Sequence, residues 1–282
     1  MTSSFLLIGQ SNMAGRGFAH EVPAIVNESI QTLRNGHWQT MVEPIHNDKP
    51  AAGIGLASSF AAAWRLDHPD NTIGLIPAAE GGTSLDDWTV GGPLFDRAIA
   101  QAKLAQRSSA IQGILWHQGE SDCQPERAQV YPEKLTVIID AIRHQLALPT
   151  TPLIMGALGD FLPLGMHGKH FSNYPLVNKA LETYAHNQPN CCYVTARGLT
   201  ANPDGLHFNA QSLRLFGIRY YRAYSQKTHV PDPSPTENEI LTSLYNRPLS
   251  KREEIFRLEN SFATGKISID AFQKALATLK EF

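Results

Sequence analysis

The chain has little cysteine, little net charge and no long apolar run. Three cysteines in 282 residues, Cys123, Cys191 and Cys192, are too few and too odd in number for a disulfide framework. The adjacent Cys191-Cys192 lack a second pair at metal-ligand spacing and read as buried packing residues. Basic residues number 24 against 26 acidic ones. That balance gives no general basic surface, so neither nucleic acid nor membrane is expected as a partner. No apolar run approaches the roughly 20 residues of a membrane-spanning helix. No basic stretch with a long apolar segment opens the chain either, so the expected location is cytoplasmic. Histidine is plentiful, but His20, His37, His46, His117, His167 and His170 show no metal-ligand spacing, and neither metal nor cofactor is expected.

What is present is a soluble, globular composition, 42% apolar and 18% charged, long enough for one large domain with an appendage. Short apolar runs that end in glycine or polar turns read as buried strands: Phe5–Ile8, Asn71–Pro77, Ile111–Trp116, Pro152–Leu158 and Cys191–Thr195. Helical periodicity falls between them, at Gly55–Leu66, Pro93–Gln106, Tyr131–Leu148, Tyr174–Asn187 and Ala210–Tyr224. This alternation predicts an α/β fold of three layers, α/β/α, around a central parallel sheet. Arg16 to Pro50 has no sustained period and reads as an irregular excursion. Residues 1–229 form the expected main domain and 230–236, with three prolines, a linker. The more charged residues 237–282 read as a short helical C-terminal module.

Gly9-Gln10-Ser11-Asn12-Met13-Ala14-Gly15 organises the rest. A serine where a buried strand turns into a helix is pushed out of the sheet, beside backbone N–H groups that favour an anion. The same four residues Gly9 to Asn12 also describe an ordinary polar turn with a capping serine. An acyl-transfer centre needs in addition a histidine that another group orients. Asp204 and His207 are spaced so that, in a turn entering a helix, the carboxylate can hold the imidazole in one tautomer. An isolated D-x-x-H is equally a helix cap. The order serine, aspartate, histidine resembles triads on other α/β folds, where geometry defines the machine. Two further turns lie at the expected sheet edge, Gly81-Gly82-Thr83-Ser84 and His117-Gln118-Gly119-Glu120-Ser121-Asp122.

Together with Trp116 and with Asp204-Gly205-Leu206-His207-Phe208, these blocks resemble the four signature blocks of the sialate O-acetylesterase domain family. That family belongs to the SGNH hydrolases, flavodoxin-like in architecture and close to the acetyl xylan esterases of carbohydrate esterase family six. The resemblance covers about residues 1 to 226. It implies a Ser11 nucleophile, a His207 base and an orienting Asp204, with Glu120 as a second, assisting acid. It also implies an oxyanion hole of the Ser11 N–H, a Gly81 or Gly82 N–H and the Gln118 side chain, which stands where the wider superfamily often has asparagine. The implied activity is removal of O-acetyl groups from a small carbohydrate.

Gln10, Asn12, Arg16 and His117 are the expected substrate contacts. A solvated surface arginine is the competing reading of Arg16. Trp38, Trp88 and Phe161 read either as sugar-stacking aromatics or as core, and Trp116 as core. The tail's apolar positions, among them Ile255, Leu258, Phe262, Phe272 and Leu276, exceed what two short helices can bury. It is therefore expected to dock on the main domain or to make a homo-oligomer. Two other functions fit less well. A lipase or thioesterase on the same fold would need a long apolar lid, and a silent sugar-binding module has no use for an oriented base.

Overall fold

A computed structural model describes residues 2–280. In chain order it holds β1 (Thr2–Gly9), a single helical turn α1 (Ser11–Ala14), β2 (Ile30–Arg34), β3 (His37–Thr40), α2 (Ala57–Asp67), β4 (Ile73–Pro77), α3 (Pro93–Gln106), β5 (Ser109–His117), α4 (Pro125–Gln145), β6 (Leu153–Gly156), α5 (Tyr174–Asn187), β7 (Cys191–Val194) and α6 (Ala210–Gln226). The C-terminal part adds α7 (Glu237–Tyr245), α8 (Lys251–Ala263) and α9 (Ile269–Lys280). The sheet runs β3-β2-β4-β1-β5-β6-β7, parallel except where β2 and β3 pair antiparallel.

Side chains alternate across a strand, and β1 uses both faces. Phe5 and Leu7 enter a core with α2 and α6, whereas Leu6 and Ile8 enter a second core with α3, α4 and α5. A strand buried on both sides must be apolar throughout, and Phe5 to Ile8 are fully buried. The three cysteines are free and buried, as packing residues should be.

Two expectations need correction. The excursion from Arg16 to Pro50 is not irregular throughout, since β2 and β3 form a hairpin that extends the sheet. Its turn is Asn35-Gly36, with φ of 49° and 80°, the residue pair suited to a two-residue loop with both φ positive. A buried Arg214 on α6 pins the excursion, donating to both oxygens of Glu43 at 2.6 Å. Helix α4 begins at Pro125, six residues before the expected Tyr131. A proline is tolerated in the first turn because its missing N–H has no partner there.

The segment read as a linker starts inside the body, with Val230 buried and bridged to Val194. Helix α7 follows it closely: Glu237 is buried and accepts from Arg219 Nε at 3.0 Å, and Leu241 is buried. Helix α8 carries a capping box of Ser250 and Glu253. Glu253 also accepts from the Glu28 backbone N–H at 3.0 Å. Helix α9 packs on α8, with Phe262 and Phe272 stacked at 5.1 Å. Among the described residues, no helix is long and apolar enough to cross a membrane.

Candidate active site

Strands β4, β1 and β5 lie side by side, and their C-terminal ends are nearly level: Leu7 pairs with Pro77 and Gly9 with His117. Three turns therefore leave the sheet together, Gln10–Ser11, Ala78–Thr83 and Gln118–Asp122. Gly9 makes this possible. Its φ is 144°, and a Cβ there would stand 1.9 Å from the His117 carbonyl oxygen, so any side chain would force β1 and β5 apart. Ser11 opens α1, and its N–H donates to no protein acceptor among the described residues.

Ser11 Oγ lies 3.0 Å from His207 Nε2, and His207 Nδ1 lies 2.7 Å from Asp204 Oδ2. The other Asp204 oxygen accepts from the Leu206 and His207 backbone N–H groups at 2.8 and 2.9 Å. The carboxylate thus closes its own turn while it faces the ring. Burial pushes the Asp204 carboxyl up, but those hydrogen bonds outweigh it and hold the group below its ordinary value. Ser11 is 5% exposed, the His207 side chain 18% and the Asp204 side chain 47%, so the file runs from the interior to solvent.

At the neighbouring turn, the Gly81 N–H donates to Asp48 Oδ2 at 2.8 Å, which removes it as an oxyanion donor. The Gly82 N–H has no protein acceptor among the described residues. Gly82 is exposed, and a Cβ on it would meet nothing within 4 Å. Gln118 departs from expectation. It is fully buried, and its amide nitrogen faces Thr83 O at 3.1 Å, Gln10 Oε1 at 3.3 Å and an Asp122 oxygen. Its donors point inward, so it supports the turn from behind. Burial pushes the Asp122 carboxyl up to about 6.

The four expected substrate contacts are also internal. Gln10 Oε1 accepts from the Gly119 and Ser121 N–H groups, each at 3.3 Å. Asn12 donates to Glu120 Oε1 and accepts from the Phe208 N–H at 3.0 Å. His117 is fully buried, with Nε2 3.3 Å from Glu120 and Nδ1 3.3 Å from Tyr220 Oη. Arg16 is neither solvated nor turned to the cleft, because it grips Asp48 with two hydrogen bonds at 2.6 and 3.2 Å. Glu120 touches Asn12 and His117, and is linked to the His207 loop by hydrogen bonds through Asn12 and by packing of His117 against Phe208. Burial pushes its carboxyl up, yet His117 and Asn12 outweigh this and hold it below the glutamate range. Trp88 and Trp116 are core residues.

Asp48, Asn202 and Tyr220 are structural partners that sequence reasoning missed. Asn202 Nδ2 donates to the Arg16 carbonyl at 2.8 Å, and its N–H to the His207 carbonyl at 2.7 Å. No local motif marks any of the three, since the partners of their side chains lie 32 to 186 residues away in the chain.

A serine, an imidazole and a carboxylate thus lie in file at the C-terminal edge of a parallel α/β sheet, beside two N–H groups without an acceptor among the described residues, an arrangement with the chemistry that ester hydrolysis requires. Comparison narrows the class. Residues 1–226 match the model of the family described as carbohydrate esterase, sialic acid-specific acetylesterase, and the chain belongs to that family. A probable carbohydrate esterase of Arabidopsis thaliana is 30% identical over 243 residues, covering 78% of this chain and 89% of that protein. A solved structure of a protein from the same plant superposes with a TM-score of 0.71 at 29% identity, over 80% of this chain and 98% of the other. The crystal structure of NanS shares the fold, with a TM-score of 0.63 at 18% identity over 80% and 97%.

Proposed function

We propose that this enzyme removes O-acetyl groups from a small carbohydrate, a sialate or a xylose-type sugar, through an acetyl-serine intermediate. The observation that carries the reading is the hydrogen-bonded file from Ser11 Oγ through His207 to Asp204. Ser11 Oγ attacks the acetyl carbonyl while His207 Nε2 takes its proton, and Asp204 keeps the Nδ1–H tautomer and steadies the imidazolium. The oxyanion meets the N–H groups of Ser11 and Gly82, each such donor lowering the barrier by about 3 to 4 kcal/mol. Collapse breaks the bond to the sugar oxygen, which takes the proton from His207 and leaves as the free hydroxyl. Water, activated by the same ring, then attacks acetyl-Ser11, and acetate leaves with Ser11 regenerated. Glu120 assists at one remove, by fixing Asn12 and through it the Phe208 backbone.

The test is hydrolysis of para-nitrophenyl acetate against the butyrate and octanoate, with acetate release from O-acetylated sialic acid and acetylated xylose measured alongside. Wild type should prefer acetate, and Ser11→Ala should lose on the order of 10^5 to 10^6 in kcat. Turnover that survives this substitution removes the acetyl-serine route. A preference for octanoate removes the acetylesterase.

A further inference from the structure

The oxyanion turn is held from one side by a buried ion pair outside the triad. Asp48 Oδ2 accepts the Gly81 N–H at 2.8 Å and an Arg16 Nη2 hydrogen at 2.6 Å, and Asp48 Oδ1 takes a second Arg16 hydrogen at 3.2 Å. The two side chains are 8% and 2% exposed. Arg16 follows the nucleophile turn directly. Its Nη1 donates to the Gly15 carbonyl at 2.8 Å, and its own carbonyl accepts from Asn202, which binds the His207 carbonyl. Lys49, next to Asp48, pairs with Glu80, next to Gly81, at 3.1 Å. One clamp therefore touches the turn of Ser11, the loop of His207 and the turn of Gly82.

The packing around Gly81 supports this independently. A Cβ on Gly81 would stand 2.2 Å from Arg16 Nη2 and 2.8 Å from Asp48 Oδ2, so the glycine is required for the pair to sit against the turn. Burial pushes the Asp48 carboxyl up, but Arg16 and the Gly81 N–H outweigh it and keep it ionised. Burial pushes the adjacent His46 down to about 4, so near neutral pH Arg16 is the cation that Asp48 faces.

We infer that Asp48, gripped by Arg16, is a positioning residue that draws back the Gly81 N–H and thereby aims the Gly82 N–H at the developing oxyanion. The inference rests on the acetyl-serine reading above. Neither side chain touches substrate. Their effect is on the transition state: holding the Gly81 N–H on Asp48 anchors the peptide plane before Gly81, so that only the Gly81 φ and ψ remain to turn the Gly82 N–H, and a misaimed donor loses most of its value where charge develops.

The experiment measures kcat and KM for para-nitrophenyl acetate in wild type, Ser11→Ala, Asp48→Ala and Asp48→Asn. It adds each variant's melting temperature and inhibition by phenylboronic acid, whose tetrahedral adduct on Ser11 places an oxygen in the oxyanion position. Losing the aim of one donor predicts that Asp48→Ala loses about 10- to 100-fold in kcat, near the lower end of what deleting such a donor costs. KM should stay within about twofold, and boronate affinity should fall in parallel with kcat, because a ground state that carries no charge does not use the donor. Asp48→Asn, whose carbonyl oxygen can still accept the Gly81 N–H, should recover most of the loss. Should Asp48→Ala not fold, the double variant Arg16→Gln/Asp48→Asn keeps a polar side chain at both positions without the charges and should show the same split in weaker form. Wild-type kcat and boronate affinity in a folded Asp48→Ala or in the double variant would overturn the inference while leaving Ser11 in place. Turnover surviving in Ser11→Ala would overturn the underlying reading and the inference with it.

Discussion

The molecule contains two acid–histidine pairs at the same spacing of three residues, and they behave oppositely. His117 and Glu120 are 0% and 1% exposed and 3.3 Å apart, whereas Asp204 and His207 are 47% and 18% exposed and 2.7 Å apart. Both nitrogens of His117 face protein groups, Glu120 on one side and Tyr220 on the other. His207 has one nitrogen on Asp204 and the other on a serine hydroxyl at the cleft. A base must change charge during a reaction, so it needs one committed nitrogen, one available nitrogen and nearby water to soften the change. A ring enclosed between Glu120 and Tyr220 in the dry interior turns neither nitrogen to the cleft.

The sharpest way to break this comparison is to damage each carboxylate in turn. Asp204→Asn should leave the fold intact and lower kcat by about 10^4 near neutral pH, through loss of the correct tautomer, read by ester hydrolysis at unchanged melting temperature. A loss confined to KM would instead make Asp204 a mere turn closer. Glu120→Ala should show the reverse balance. Removing one partner from a buried pair costs about 3–5 kcal/mol of folding stability, measured by urea unfolding, with a smaller proportional loss of kcat per folded molecule. Stability within 1 kcal/mol of wild type would mean that the buried pair is not a strut.

Acid should separate the pairs most gently. The folded Glu120 carboxyl lies below its ordinary value of 4.5. Its stabilisation is therefore fully present above that value and is lost as pH falls through the folded pKa. The unfolding free energy of wild type should fall across that window, and Glu120→Gln should be flatter there. Parallel profiles would show that Glu120 titrates alike in folded and unfolded chains. Asp204 is shifted in the same direction, but as a half-exposed group it should contribute less of the slope.

Much of the architecture was legible in the sequence because its signals are local. A run such as Phe5–Ile8 is apolar because both faces of β1 are covered, and α3 and α5 carry their periodicity and their proline start within themselves. The Asn35-Gly36 hairpin was equally local, and reading the whole excursion as structureless passed over a specific two-residue turn signal. At the site, Ser11, Asp204 and His207 stood out through the blocks that carry the family resemblance, because a turn serine or a D-x-x-H alone is as well explained by a cap. The neighbours of Ser11 were misjudged for a physical reason: closeness in sequence does not say which way a side chain points. Gln10, Asn12, Arg16 and His117 all turn inward, toward partners up to 196 residues away. Asp48 was invisible because an acid 32 residues from its arginine has no spacing to betray it.

The alternation of β1 between its two cores makes the place where the chain turns out of the sheet a matter of parity. Phe5 and Leu7 belong to one face and Leu6 and Ile8 to the other, so Gly9, the last residue of β1, arrives where it does because an even number of steps separates it from Phe5. Inserting or deleting one residue between Phe5 and Ile8 would exchange the cores beyond the change and hand the turn to the opposite face of the sheet. Two inserted residues would restore the faces and overshoot the level at which Gly9 meets His117. The strand behaves as a counted ruler, and its length admits no drift in either direction.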